Sequence, residues 1–378
     1  MEGNVAIIIK LKRCLIILLV LSFLIGSGLG VYLWRGTRGN SITVMDESSN
    51  DMLALKVQKM FEGRSNALLT EDRSLLKSLY DEEIRYSVWA YEHELKKMRY
   101  LNKWSDKQGV NFIEINPEVV VRRADKKEDG YALNLLVSTE YKYVYQDSST
   151  SNSFRIGTYH SLDLMPREDR WVITREWYKD PFADSLELDQ VKNQEIKDMI
   201  LSGEEKDLSD LNQRRVEAVE YVDRYSGAAS LPEYGFQYNP EYRNYNPLGG
   251  DCANFASQML HEGGGIPEDA TWRYERGSGS RAWVNAHAFN QHMIYSGRAT
   301  RIARGSYEQV LNASYKLLPG DYVAYEKGGT VDHISVVTGM DSKGYALVNS
   351  HNVDRHRVPW DLGWSDQDIK FWLVRVHY

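Results

Sequence analysis

The chain is nearly free of cysteine. Its 378 residues contain two, Cys14 and Cys252, in different settings: Cys14 in an apolar N-terminal run, Cys252 far along the polar remainder. They do not make a disulfide framework, so cross-links are not what holds this fold. Long basic stripes are missing, and the formal net charge is −7, which argues against a nucleic-acid partner. No His-Glu-x-x-His occurs; His287 and His292 stand five apart, as do His351 and His356, off the i, i+4 spacing of helical metal pairs. With one cysteine nearby, a zinc site lacks its ligand set, and no metal or other cofactor is expected. Internal repeats and low-complexity tracts are absent too. What is abundant is aromatic: 25 Tyr and 10 Trp, a supply that suits a large core or a groove for sugars or peptides.

One long apolar run does occur. Lys10, Lys12 and Arg13 precede Cys14 to Leu21, and apolar character continues to about Trp34. That is roughly 20 residues, enough to cross a bilayer as a helix. Gly26, Gly28 and Gly30 are tolerated in membrane helices, and the basic flank keeps the N-terminus in the cytoplasm. The length of the run and the lack of a clear A-x-A-like site favour an uncleaved anchor over a signal peptide. Residues 1–40 are therefore expected to be a cytoplasmic flank and transmembrane helix. The protein would then be single-pass in the cell membrane, with its remaining domains extracytoplasmic.

Residues 41–180 read as an α+β domain. After a polar stalk, Met52, Leu53, Leu55, Val57 and Met60 recur near the helical period. Thr70 opens a second helix as its N-cap, and a third runs from about Glu82 to Trp104, with Trp89, Tyr91 and Leu95 expected in the core. Four strands follow, at about Val110–Arg123, Tyr131–Tyr145, Phe154–Met165 and Trp171–Tyr178, with a hairpin turn at Asp129-Gly130. Helices followed by long antiparallel strands make an α+β unit. Their order resembles the cone-shaped fold of the nuclear-transport-factor-like superfamily, here read as a spacer or binding module. Residues 181–210 are charged and read as a linker or helix, and a second domain spans 211–378.

The chemistry concentrates in that second domain. Gly249-Gly250-Asp251-Cys252 leads into a helical pattern with Phe255, Met259 and Leu260. A thiol at a helix N-terminus meets unpaired N–H groups and the positive end of the helix dipole, which favour the reactive thiolate. The glycine pair lets another backbone approach closely. The opposing reading is a buried, inert cysteine. Farther on, Asp332-His333-Ile334 stands at the mouth of an apolar strand, and Asn349 and His351 share one face at the end of the next. Cys on a helix and His on a strand is the layout of a Cys–His hydrolase, with a neighbouring polar residue to orient the imidazole.

This order resembles the NlpC-type and CHAP cysteine peptidases, which are papain-like and mostly act on peptidoglycan. A closer similarity is to the putative amidase domain family, carried by Arg215 to Tyr221, Tyr238-Asn239-Pro240, Gly250 to Gln258, His333 and His351-Asn352. It covers roughly residues 211–378. The resemblance implies a papain-like α+β domain in which Cys252 attacks an amide carbonyl, His333 carries the proton, and Asn349 or His351 orients His333. The oxyanion hole would use the Cys252 N–H and one other donor. Asp251, Asn246 and Asn254 are the candidate substrate-binding residues. Asp251 also fits a turn-shaping role, and Asn246, where papain has a Gln, also fits a turn before Pro247. The expected function is a membrane-anchored cysteine amidase or peptidase acting on peptidoglycan or peptide. Two alternatives stand beside it: a catalytically silent papain-like binding module, and an acyl transferase on the same triad.

Overall fold

The computed structural model describes residues 47–168, 170–182, 193–364 and 368–378. The expected anchor in residues 1–40 lies outside them, and among the described residues no helix is long and apolar enough to cross a membrane. The expectation of a fold led by a transmembrane helix is therefore corrected. What the structure supports is a mixed α+β fold built on one large antiparallel sheet.

Among the described residues, three helices come first. Helix α1 (Glu47–Leu69) buries Leu53, Val57, Phe61 and Leu68 along one face. Helix α2 (Arg73–Ser78) is capped by Asp72, whose carboxylate accepts the N–H groups of Ser74 and Leu75. Thr70, the cap expected from the sequence, instead donates its hydroxyl to the Asn66 carbonyl at the end of α1. Helix α3 (Arg85–Gln108) ends at Gly109, which takes the left-handed conformation of a helix C-cap. Its last turns are buried around Tyr100, Leu101 and Trp104, but Trp89 is 49% exposed, contrary to its expected place in the core. At that level the helix borders a cleft rather than the sheet.

Strands β1 (Val110–Lys127), β2 (Gly130–Tyr145), β3 (Ser151–Arg167) and β4 (Arg170–Trp177) follow in antiparallel succession. Period-two alternation puts Phe154, Ile156, Leu162 and Leu164 of β3 inside. After α4 (Asn193–Leu201) and α5 (Gln213–Arg224) comes α6 (Cys252–Gln258), extended by a π-helical turn at Met259–Gly263. A small hairpin, β5 (Tyr274–Glu275) and β6 (Ser278–Gly279), precedes α7 (Arg281–Val284) and α8 (Ala286–Tyr295). Strand β7 (Ala299–Gly305), α9 (Tyr307–Ser314), β8 (Tyr322–Lys327), β9 (Thr330–Met340), β10 (Ala346–Ser350), β11 (Asp354–Pro359) and β12 (Lys370–Val376) complete the chain.

Apart from the β5–β6 hairpin, the strands share one sheet in the order β1-β2-β3-β11-β10-β9-β8-β12-β7, with β4 also on β3. Two strands thus compete for one edge of β3. Strand β11 takes Arg155, Ile156 and Gly157, and β4 takes Ser161 to Arg167. Between these pairings, at Thr158 and Tyr159, the edge forks. Gly157 is needed there, since a Cβ would stand 2.4 Å from the Ala228 carbonyl carbon. Buried polar bonds tie the early and late parts of the fold together: Tyr143 and Tyr145 donate to Asp341 at 2.9 and 2.6 Å, and Lys107 pairs with Asp361. On one face of β8 and β9, helices α5, α6 and α8 bury Val222, Phe255, Phe289, Tyr322, Ile334 and Val336 in a common core.

Candidate active site

Cys252 is the first residue of α6 and joins that core, 5% exposed. The chain enters through Gly249 and Gly250, both with positive φ. A side chain at Gly250 would collide with Asn352, 2.4 Å away, and Asn352 Oδ1 in turn accepts the Asp251 N–H at 2.6 Å. Burial pushes the thiol up to about 11, against the lowering effect of the Ile334 and Ala253 N–H groups beside it; the Asp251 carboxylate adds to the rise. The protonated thiol is therefore the resting form at neutral pH.

Asp251 turns inward. Its carboxylate accepts the Tyr245 N–H at 2.8 Å, Asn254 Nδ2 at 2.9 Å and His351 Nδ1 at 2.6 Å. The other ring nitrogen of His351 lies 2.8 Å from the Tyr225 carbonyl. Both neighbours are acceptors, so the ring must donate from both nitrogens and is an imidazolium. Burial opposes that charge, but the hydrogen bond and charge of Asp251, with Asp354 and the Tyr225 carbonyl, raise the His351 pKa above its ordinary value. The ring is stacked on Phe255, one turn along α6 from Cys252, at 3.8 Å between centroids, and leans on Tyr238 at 4.2 Å.

His333 sits on the other side of the sheet. Ile334 shares the core with Cys252, and strand alternation points His333 the opposite way, against Tyr325 and Trp364. Burial, and then Arg355, hold its pKa well below the ordinary value, so the ring is neutral. Its Nε2 is buried with no hydrogen-bond partner among the described residues. A bulge at this point, between the Tyr325 and Glu326 pairings, sets which face His333 takes.

The other expected site residues are placed as follows. Asn349 Oδ1 accepts from Thr338 and from the Arg357 N–H, and its Nδ2 donates to Asp223 and Ser226, so it is engaged away from His333. Asn254 is held by Asp251, the Arg243 carbonyl and Trp283 Nε1. Asn246 donates to the Tyr238 hydroxyl at 3.1 Å and faces a cleft. The structure thus gathers Asp251, Asn254 and His351 at the first turn of α6, which Cys252 begins, and engages His333 and Asn349 elsewhere. Among the described residues no group of three or more His, Cys, Asp or Glu is placed to hold a metal ion.

That cleft, about 410 Å³, opens at the fork of β3. Gly157, Tyr159 and Trp177 supply one wall; Tyr238, Gly249, Gly250 and Asn352 supply the other, up to the loop that presents Cys252. Beneath it the buried Asp354 accepts from Tyr238 at 2.7 Å, from the Ala228 N–H at 2.7 Å and from Tyr159 at 3.3 Å. Burial raises this carboxyl to about 6, partly offset by His351. Sequence reasoning singled out neither Asp354 nor Trp177. The signal for Asp354 was its place three residues after His351; Trp177 had none, because an exposed tryptophan and a core one look alike in sequence.

Residues 212–374 match the family model described as "Putative amidase domain". That segment holds Cys252, His333 and His351, and the match supports the family resemblance and an amidase-like hydrolase. The chain is also similar to a Bacillus subtilis (strain 168) protein named "Uncharacterized protein YhbB", 24% identical over 299 residues, covering 75% of this chain and 85% of that one.

Proposed function

We propose that this protein is a cysteine amidase that opens amide bonds in peptides, with the peptide part of peptidoglycan as the substrate class. The observation that carries the reading is the position of Cys252 within the amidase-like segment. Its thiol lies against the Ile334 N–H, one residue beyond His333, and the Gly249-Gly250 loop that leads into it walls a cleft.

Thiol proton transfer to an imidazole leaves a thiolate, which attacks the amide carbonyl. The C–N bond breaks as the imidazolium returns the proton to the departing amine, and water then splits the acyl thioester. His333, neutral and with its Nε2 unpartnered among the described residues, is the base in this reading; the ordering of His351 by Asp251 makes it a donor, not a base. Proton transfer requires His333 to reach the Cys252 side of β9, and the bulge is where the strand can re-aim it. Asp251 and His351 fix the first turn of α6, and with it the thiol.

A specific observation favours a second reading. A thiol raised to about 11 and an imidazole turned away describe a silent domain that binds without cleaving. Site-resolved alkylation of Cys252 by iodoacetamide separates the two. In the amidase, peptidoglycan fragments bring the apparent thiol pKa below the reference of about 8.5, and His333→Ala abolishes that shift. Amine release from the same fragments depends on Cys252. A thiol that stays near 11 with fragments bound, together with no Cys252-dependent amine release, would leave the silent domain as the answer.

A further inference from the structure

We propose that the early strands carry a glycan-binding track, formed by Trp89, Trp177 and Tyr159, that runs to the loop presenting Cys252. Trp177, at the end of β4, is 66% exposed and walls two cavities at once. One is the 410 Å³ cleft at the fork, which it shares with Tyr159, 48% exposed. The other, about 470 Å³, lies on the far side of β4 against α3, where Tyr86 and Trp89 are 57% and 49% exposed. A single exposed ring needs no explanation, but rings lining adjoining clefts mark a binding surface.

Two of the three rings are held in place before any ligand arrives. The Arg85 guanidinium lies over Trp89 at 4.4 Å and Tyr86 meets it edge-on at 5.5 Å. Tyr159 is tethered through its hydroxyl to Asp354. Such preorganisation reduces the ordering cost of binding. Charges along the clefts are largely neutralised within the protein: Arg175 is bound at two points by Asp163, and Glu176 by Arg64 and His160. What remains facing the clefts is aromatic carbon beside amide groups such as Asn244 and Asn246, together with the exposed Lys179 ammonium. A pyranose matches that pattern, with an apolar C–H face to lie on a ring and hydroxyl or N-acetyl groups to reach the amides. An extended peptide would seek a free strand edge, and the outer edge of β4 is already engaged at Ile173 by the backbone of Leu79 and Asp81.

That the track delivers substrate to Cys252 rests on the amidase reading; that it binds glycan does not. The test is titration of the full chain with chitohexaose, a neutral N-acetylglucosamine oligomer, followed by tryptophan fluorescence and calorimetry. Saturable binding is expected, weakened about tenfold or more by Trp177→Ala, less by Trp177→Phe, and unchanged by Tyr295→Ala, whose ring is 83% exposed in a different cleft. Circular dichroism melts of each variant confirm folding. No saturable binding, or wild-type binding by folded Trp177→Ala, overturns the track. So does a free stem peptide that binds in a Trp177-dependent way where chitohexaose does not. Chitohexaose binding retained in a protein that releases no amine through Cys252 upholds the track and removes only the amidase reading.

Discussion

The Asp251–His351 pair offers the sharpest stability test. Both side chains are almost fully buried, and the 2.6 Å contact is charge-assisted. Asp251→Ala strands three donors at once: His351 Nδ1, Asn254 Nδ2 and the Tyr245 N–H. Each unsatisfied buried group costs about 1–3 kcal/mol, and removing one member of a buried ion pair costs about 3–5 kcal/mol. These costs overlap, because an unpaired His351 can lose its proton, so about 4 kcal/mol is expected. Native stabilities are about 5–15 kcal/mol, and at roughly 2 °C per kcal/mol the melting point falls by about 8 °C. Asp251→Asn keeps the shape and an acceptor but not the charge, and should lose less.

The pH dependence adds an independent check. The folded pKa of His351 is raised, so its contribution is complete below the unfolded value of about 6.5 and fades as pH rises through the folded value. Wild type should therefore lose stability over that window, and Asp251→Asn should not. Urea unfolding across pH 5 to 9, read by far-UV circular dichroism, measures both effects. Equal stability of Asp251→Ala and wild type within about 0.5 kcal/mol, the usual range for a surface change, would refute the pair as described.

Other outcomes follow from the same geometry. Asp354 is held near 6, so wild type loses stability as pH rises from about 4 through 6; Asp354→Asn, measured by the same unfolding series, should flatten that slope. Gly157→Ala drives a methyl into the Ala228 backbone and should cost about 1–3 kcal/mol, read as a lower melting temperature. His333→Leu puts an apolar side chain of similar size beside Tyr325 and Trp364 without an orphaned nitrogen, so it should leave the melting temperature unchanged or higher while removing any Cys252-dependent amine release.

The sequence carried the local patterns well. Four strands were readable from alternation and from the Asp129-Gly130 turn, and the loop at Cys252 stood out because its glycines and lone thiol are chemically unusual. What could not be read was which faces meet. Alternation says that His333 and Ile334 point opposite ways, but not which of them looks toward α6; that choice is made by a bulge at Asp332, which leaves no mark in residue type. Asn349 and His351 were assigned one face from equal parity, but an irregularity in the β10–β11 pairing and the turn at Asn352 send them to different partners. Trp89 fell on the apolar stripe of its helix yet borders a cleft, since periodicity does not reveal where the covering sheet stops.

The pairing of β11 with β3 also bears on how the chain is made. Gly157 and Asp354, joined there, are roughly 200 residues apart, and contacts of such separation form late and slowly. During synthesis, the edge of β3 waits unpaired until almost the whole polypeptide has emerged, and an open edge is a template for pairing with another copy. The small helical turn Gly227–Ala229, which presses against Gly157 and donates to Asp354, emerges well before β11. It covers the face of β3 at Gly157, on the side where a Cβ would point, so the hydrogen-bonding edge itself stays open until β11 arrives.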